Sequence, residues 1–427
     1  PRPDAPRVRR LHAAAAGRLR RLSTAIEALQ TADADLAALQ TGKGDRIEAI
    51  QAALPPSTVL LEYYVASGTV YAAAVHADRT TVVPIGRLSD VTGLVQLLRF
   101  QLAKFQLGPD YVRTFASGLS AATHQHLRAL HAALLAPVRH ALDGRALVVV
   151  PHGPLHYVPF HALFDGQRYL MQDVAVSYAP SGTVYRLCQS RRESAAGGSL
   201  VMALADGYAP HIRQEAEQVA ALLPGARLYL GEEATVARLR DEGGASRYVH
   251  IATHGFFRRD NPMLSAVRLA GGDLSLADLY TLSLPADLVT LSGCGTGLSA
   301  VVGGDELVGL TRGLLHAGAR SLLLTMWQVD DFSTATFMAD FYGHLLAGRT
   351  KAEAVALAME NLRARFPHPY YWAPFVLIGQ SGAASTPGKG AADSSGAPIF
   401  PGRPPALLDE RGTRSARDTA RGTRGTS

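Results

Sequence analysis

Residues 287–306 read DLVTLSGCGTGLSAVVGGDE. Leu288 to Ser292 is a short, nearly all-apolar run, which is how a strand buried on both faces reads. A cysteine among glycines follows it, and a helical pattern opens near residue 304. Upstream, RYVHIATHG, Arg247 to Gly255, is another apolar strand ending on His254-Gly255. Around these two runs, strand patterns at 199–204, 227–230, 265–269, 320–325 and 374–378 alternate with amphipathic patterns at 211–223, 234–241, 304–317, 331–347 and 351–365. All-apolar strands separated by helices predict an α/β fold with a mostly parallel sheet covered on both faces. In such sheets chemistry collects in the loops at the carboxyl ends of the strands. His254 and Cys294 occupy two such loops.

Outward from this region the pattern changes. SRRESAAGGS, Ser190 to Ser199, is charged, small and Gly/Ser-rich, and reads as a linker. Before it, TVLLEYYVASGTVYAAAVHADRTTVVPIG reads as three strands with turns at Ser67-Gly68 and Ala77-Asp78. Helical patterns at 88–107 and 119–142 follow, then strands at 146–151 and in DVAVSYAPS. Residues 8–54 read as helix up to Pro55-Pro56, and resemble the last hairpin of a helical repeat. Beyond Gly379 the chain is rich in Gly, Pro, Ser, Ala and Arg, a composition of disorder. The expected division is a helical segment at 1–54, a first lobe at 55–192, a second lobe at 193–380 and a tail at 381–427.

The net charge of +6 belongs to the ends: residues 1–21 carry +6 and residues 381–427 carry +3, leaving the body at −3. This disfavours nucleic acid as a partner of the body. Two cysteines far apart make no disulfide framework and fit a reducing, cytoplasmic compartment. No apolar run is long enough to span a membrane. No signal peptide is visible, and the absence of an initiator Met suggests a fragment or a processed product.

The chemistry that fits His254 and Cys294 is nucleophilic catalysis. A thiol is a nucleophile as thiolate, and a nearby imidazole can take its proton and return it to a leaving amine. Gly255 and Gly293 lack a Cβ, so a substrate backbone can approach. The backbone N–H groups of Gly255 and Cys294 are then candidate oxyanion donors. Two other readings of the glycine turn are weaker. Residues 295–300 match G-x-G-x-x-A, but Gly303-Gly304 interrupt the helix a dinucleotide needs, and no acid follows at the required distance. G-x-S-x-G is absent. His250 and His254 lie four apart, but no further ligand cluster completes a metal site, so neither metal nor cofactor is expected.

Taken together, YVHIATHGFF, DLVTLSGCGTG, GGDELVGLTRGLLHAGARSLLLTMWQVDD and YYWAPFVLIG, with VVVPHGPLHYVPFHAL upstream, resemble the CHAT domain. That family comprises caspase-like cysteine peptidases of clan CD, related to the separases. The resemblance spans about 57–380. It implies a caspase–haemoglobinase sheet in two lobes, a degenerate first lobe, and a dyad whose histidine falls on His254 and whose cysteine falls on Cys294. It also implies a protein or peptide substrate and a regulatory partner acting through TPR-like N-terminal helices, often in bacterial defence or signalling. The family's common L-S-A-C-E-T-G is L-S-G-C-G-T-G here, so a second class of function stays open: a pseudo-peptidase acting as an interaction scaffold. Ser181, in the family's A-P-S motif, and Trp327 are candidate cleft residues. Asp305 and Glu306 read either as helix N-terminal charge or as recognition of a basic substrate side chain. Cys188, His152, His156 and His161 read as structural.

Overall fold

The computed structural model describes residues 45–194, 197–205, 211–256, 266–293, 305–327 and 330–382, with backbone only for 305–308. The expected helix over 8–54 falls mostly outside these residues. Its described end, Ile47–Ala53, stops before Leu54 and Pro55-Pro56, as proline requires. Among the described residues, no helix is long and apolar enough to cross a membrane.

The chain enters the sheet through two antiparallel hairpins, β1 (Thr58–Ala66), β2 (Thr69–Val75) and β3 (Thr80–Arg87). Ser67 and Gly68 form a two-residue turn at φ 50° and 76°. Positive φ at both positions matches the twist of the flanking strands, which is why a Ser-Gly pair serves there. Helices at Leu88–Ala103 and Ala116–Leu134 lead to β4 (Ala146–Val150), β5 (Ala175–Tyr178) and the helix Gly182–Ser190. Then come β6 (Gly198–Ala203), the helix His211–Leu222, β7 (Ala226–Leu230) and β8 (Ser246–Ala252). A small antiparallel sheet, β9 (Gly255–Phe256), β10 (Ala266–Leu269) and β11 (Gly272–Ser275), branches from the end of β8. The chain closes with β12 (Leu288–Ser292), the helix Asp305–His316, β13 (Ser321–Thr325), the helices Asp331–Leu346 and Lys351–Arg365, and β14 (Phe375–Gly379).

Eleven strands form one sheet in the order β3-β2-β1-β4-β5-β14-β13-β12-β8-β6-β7. β1, β4, β5 and β14 are parallel to one another. β13, β12, β8, β6 and β7 are also parallel to one another. The two groups meet antiparallel at β13 and β14. The sheet is therefore continuous across the two expected lobes, but its halves run in opposite directions. Residues that follow β4 and β5 project from one edge, and those that follow β8, β12 and β13 project from the other.

Helices cover both faces. On one face Asp331–Leu346 packs between His211–Leu222 and Lys351–Arg365. On the other, Gly182 lies so close to Ile50 that a Cβ there would sit 2.7 Å from its Cδ1. β5, β8, β12, β13 and β14 are buried at every residue, as expected of strands covered on both sides. Each fully buried Leu or Val in them contributes roughly 1.5–3 kcal/mol.

Candidate active site

β8 and β12 are parallel neighbours in register, Ala252 opposite Ser292. The pairing runs past the strand ends, because the Thr253 N–H donates to the Ser292 carbonyl at 2.9 Å. His254 and Gly293 therefore leave adjacent strands at the same edge. The His254 backbone is tied from a second direction: its carbonyl accepts the Arg268 N–H at 2.9 Å, and Gly255 pairs with Val267. Thr253 Oγ1 adds a bond to the Arg268 carbonyl at 2.8 Å. The His254 side chain is half-buried. On β12, the Gly293 carbonyl faces Thr325 Oγ1 of β13 at 3.5 Å. Cys294, and with it the second oxyanion donor and the G-x-G-x-x-A match at 295–300, lies outside the described residues.

Below this edge a buried polar string locks the two strands together. His250 Nε2 lies 3.0 Å from Glu215 Oε1, and His250 Nδ1 lies 3.2 Å from the Tyr342 hydroxyl. Tyr342 also reaches Thr290 Oγ1, at 2.8 Å, on the neighbouring strand. Burial pushes the Tyr342 phenol pKa well up, against a smaller opposing pull from the Thr290 hydrogen bond. With His250 and Glu215 0% and 2% exposed, this string reaches no substrate. It positions β8 and β12 through the helices that bear Glu215 and Tyr342. His250 faces the core. Glu215 escaped the sequence reading; the signal that could have found it is an acid within the apolar stripe Ile212, Ala216, Val219, a place where an acid needs a buried partner.

The other candidates separate by edge. Trp327 follows β13, on the His254 edge, but is buried and donates through Nε1 to the Tyr370 carbonyl at 3.0 Å, which makes it a packing anchor. Asp305 and Glu306 begin the helix Asp305–His316; their side chains lie outside the description. Ser181 follows β5 and so lies at the opposite edge from His254. Its Oγ accepts the Val184 N–H at 3.2 Å and caps the helix Gly182–Ser190. The structure does not bring Ser181 to the His254 loop, because β5 runs antiparallel to β13 and its neighbours.

At that opposite edge stands a second buried cluster, which no sequence motif announced. Asp287 accepts Arg247 Nε at 2.8 Å and Arg320 Nη1 at 2.9 Å. It also accepts the Ser194 N–H at 3.1 Å, which ties down the linker. Burial raises the Asp287 pKa, and the hydrogen bonds from Arg320, Ser194 and Arg247 outweigh it and hold the carboxyl below its usual range. Nearby, Lys351 Nζ is fully buried and donates to Ser321 Oγ at 2.8 Å and Gln380 Oε1 at 2.7 Å. Burial drives its pKa down to about 7. Cys188 is buried, and desolvation pushes its thiol up to about 11, the opposite of what a nucleophile needs. His161 is buried between the Tyr178 hydroxyl and the Ala373 carbonyl, and desolvation lowers its pKa to about 4. It is a neutral strut. Among the described residues, no three His, Cys, Asp or Glu side chains gather to hold a metal ion.

The CHAT domain model matches residues 124–380. Tetratricopeptide repeat protein 28 of Homo sapiens is 27% identical over 331 residues, covering 61% of this chain and 13% of that protein. The Mus musculus protein of the same name is 29% identical over the same span. The chain thus spans about 13% of the length of these relatives. Among solved structures, the Saccharomyces cerevisiae separase-securin complex superposes with a TM-score of 0.58 at 11% identity, covering 82% of this chain and 31% of that one. That likeness concerns the fold, a mostly parallel caspase-like sheet flanked by helices. The family match covers more than half of the chain, strand pair β8–β12 included: the chain belongs to the CHAT domain family.

Proposed function

We propose that this chain is a cysteine endopeptidase domain with His254 and Cys294 as its dyad. The observation that carries this reading is the parallel pairing of β8 with β12. It delivers His254 and the residue before Cys294 to one edge of a rigid, fully buried strand pair. In the proposed cycle, His254 takes the Cys294 proton and the thiolate attacks the scissile carbonyl, forming a C–S bond. The Gly255 and Cys294 N–H groups hold the oxyanion. Collapse breaks the C–N bond, and His254 gives its proton to the leaving amine. Water, deprotonated by His254, then cleaves the thioester to a carboxylic acid and the free thiol. No cofactor enters this cycle. Asp305 and Glu306, at the helix after the nucleophile loop, would favour a basic residue at the scissile bond.

The names of the curated relatives support an upstream helical-repeat partner region, and two cysteines far apart in sequence support a cytoplasmic setting. A regulated role in bacterial defence or signalling rests on the family resemblance and on the Ala-, Arg- and Gly-rich composition alone. Gly293 and Gly295, in place of the family's Ala and Glu, favour a second reading, a scaffold that binds its partner without cutting it. Labelling of new protein N-termini in cells expressing the wild type or Cys294→Ala separates the two. The peptidase reading predicts a small set of cleavages lost in the variant; identical N-terminus profiles would leave the scaffold.

A further inference from the structure

On the His254 edge, a chain of aromatic contacts leads from a half-exposed ring in towards the core. His211 contacts Phe332 at a centroid distance of 5.7 Å, and Phe332 contacts Phe366 at 6.3 Å. Phe366 contacts Tyr371 at 5.3 Å, Tyr371 contacts Tyr370 at 5.4 Å, and Tyr370 stacks on Phe105 at 4.3 Å. Phe332 is 49% exposed, and Phe366, Tyr370 and Tyr371 are each partly exposed. The row belongs to this edge because Phe332 opens the helix after β13, and Phe366 to Tyr371 precede β14, which starts opposite the end of β13. Beside it Asp330 presents an exposed carboxylate. One of its oxygens accepts the Ser333 N–H at 2.9 Å, and its charge helps to raise the Tyr371 pKa, after burial. A half-exposed ring backed by partly exposed ones offers the aromatic surface on which proline-rich segments in the polyproline II conformation dock, and the neighbouring acid can face a basic residue of such a segment.

This chain carries such a segment beyond its described residues. Residues 397–408 read APIFPGRPPALL, with four prolines, and Arg403 between them. The described chain leaves at Ser381 and Gly382, whose carbonyls accept the N–H groups of Ala352 and Lys351. That is the start of the helix Lys351–Arg365, and its far end delivers Phe366. The helix spans 15 residues, about 22 Å. Fourteen residues separate Gly382 from Ala397 and reach at most about 45–50 Å when extended. The tether is long enough to run back along this helix to the ring row.

We propose that residues 397–408 dock in cis on the ring row Phe332–Phe366–Tyr371–Tyr370, with Arg403 facing Asp330. This goes beyond the peptidase reading and does not depend on it. A segment seated there borders the edge that carries His254.

The test uses the full chain with Phe400→p-benzoylphenylalanine, irradiated and digested for mass spectrometry. Crosslinks within one chain to peptides bearing Phe332 or residues 366–371 are expected. Their yield should fall at least fivefold with Arg403→Glu, and likewise with the pair Pro404→Ala and Pro405→Ala, all three substitutions lying outside the described residues. Crosslinks elsewhere, a yield no higher than in denaturant, or crosslinks only between chains in a mixture of ¹⁴N and ¹⁵N protein would each overturn the proposal. The last would assign the row to a second copy. No activity is needed, so failure here leaves the peptidase reading untouched.

Discussion

The two halves of the sheet solve the same local problem differently. In the first half β4 is followed by Pro151 and then His152-Gly153, and its parallel neighbour β5 by Ala179, Pro180 and Ser181. In the second half β8 is followed by Thr253 and then His254-Gly255, and its parallel neighbour β12 by Gly293 and Cys294. The difference lies in what comes next. After β5 a helix begins at Gly182, and the only hydroxyl in the turn is consumed as its cap. After β12, which ends at Ser292, the next described helix begins only at Asp305. The turn after β5 thus spends its hydroxyl on a helix cap, whereas the turn after β8 carries the half-buried imidazole of His254.

The largest expected effect separates these halves directly. His254→Ala should lower proteolytic activity by about a thousandfold or more, the scale of a lost general base and acid. His152→Ala should leave it unchanged. A cleavage assay on a substrate found by N-terminus labelling checks both, and comparable losses in the two variants would mean that the halves are not functionally distinct.

A second comparison is between the two edges of β8, β12 and β13. One edge carries the loops; the other carries Arg247, Asp287 and Arg320 locked in ion pairs. Asp287→Ala removes the carboxylate that Arg247 and Arg320 share and leaves Arg320 with Glu193 at 3.8 Å. It should cost about 3–5 kcal/mol in denaturant unfolding. A loss below about 1 kcal/mol would show that the cluster does not anchor this edge.

Lys351 sharpens the same contrast through pH. Its pKa falls from an ordinary 10.5 to about 7 in the fold. Between those values the unfolded chain binds more protons than the folded one, so stability rises with pH across this window. The rise is at most about 1.4 kcal/mol per pH unit. Below about pH 7 both states hold the proton and the slope from this group vanishes. Unfolding midpoints followed upward from about pH 7 should rise in the wild type and lose that component in Lys351→Met.

The smallest effect concerns the first half. Ser181→Ala removes the cap of Gly182–Ser190 and should cost about 1 kcal/mol, with activity retained. A loss of activity without loss of stability would return Ser181 to the substrate cleft.

Most strands and helices, though not the short strands β9 and β11, were legible from apolar periodicity, and so was the neighbourhood of the two strands that lead to His254 and Gly293. The reversal of direction between β14 and β13 was not. An all-apolar run such as Phe375 to Gly379 announces burial but not its partners, and only the three-dimensional pairing sets β14 between β5 and β13. The placement of Ser181 failed for that reason, since it followed the right kind of strand in the half that points the other way. Gly379 itself marks the junction: a Cβ there would sit 2.5 Å from the Arg320 carbonyl, so only glycine lets β14 end there. The Glu215–His250–Tyr342 string was not read from the sequence. Its histidine and its acid each stand at a core position, but their pairing joins residues 35 apart in the chain.

The most direct test of the central claim compares the two cysteines of one molecule. Incubation with a peptidyl acyloxymethyl ketone at neutral pH, followed by peptide mapping, should place a single adduct on Cys294 and none on Cys188, whose thiol burial holds at about 11. His254→Ala should slow that adduct by about a hundredfold or more. Labelling of Cys294 no faster than in the unfolded chain, or at the same rate with and without His254, would contradict the dyad.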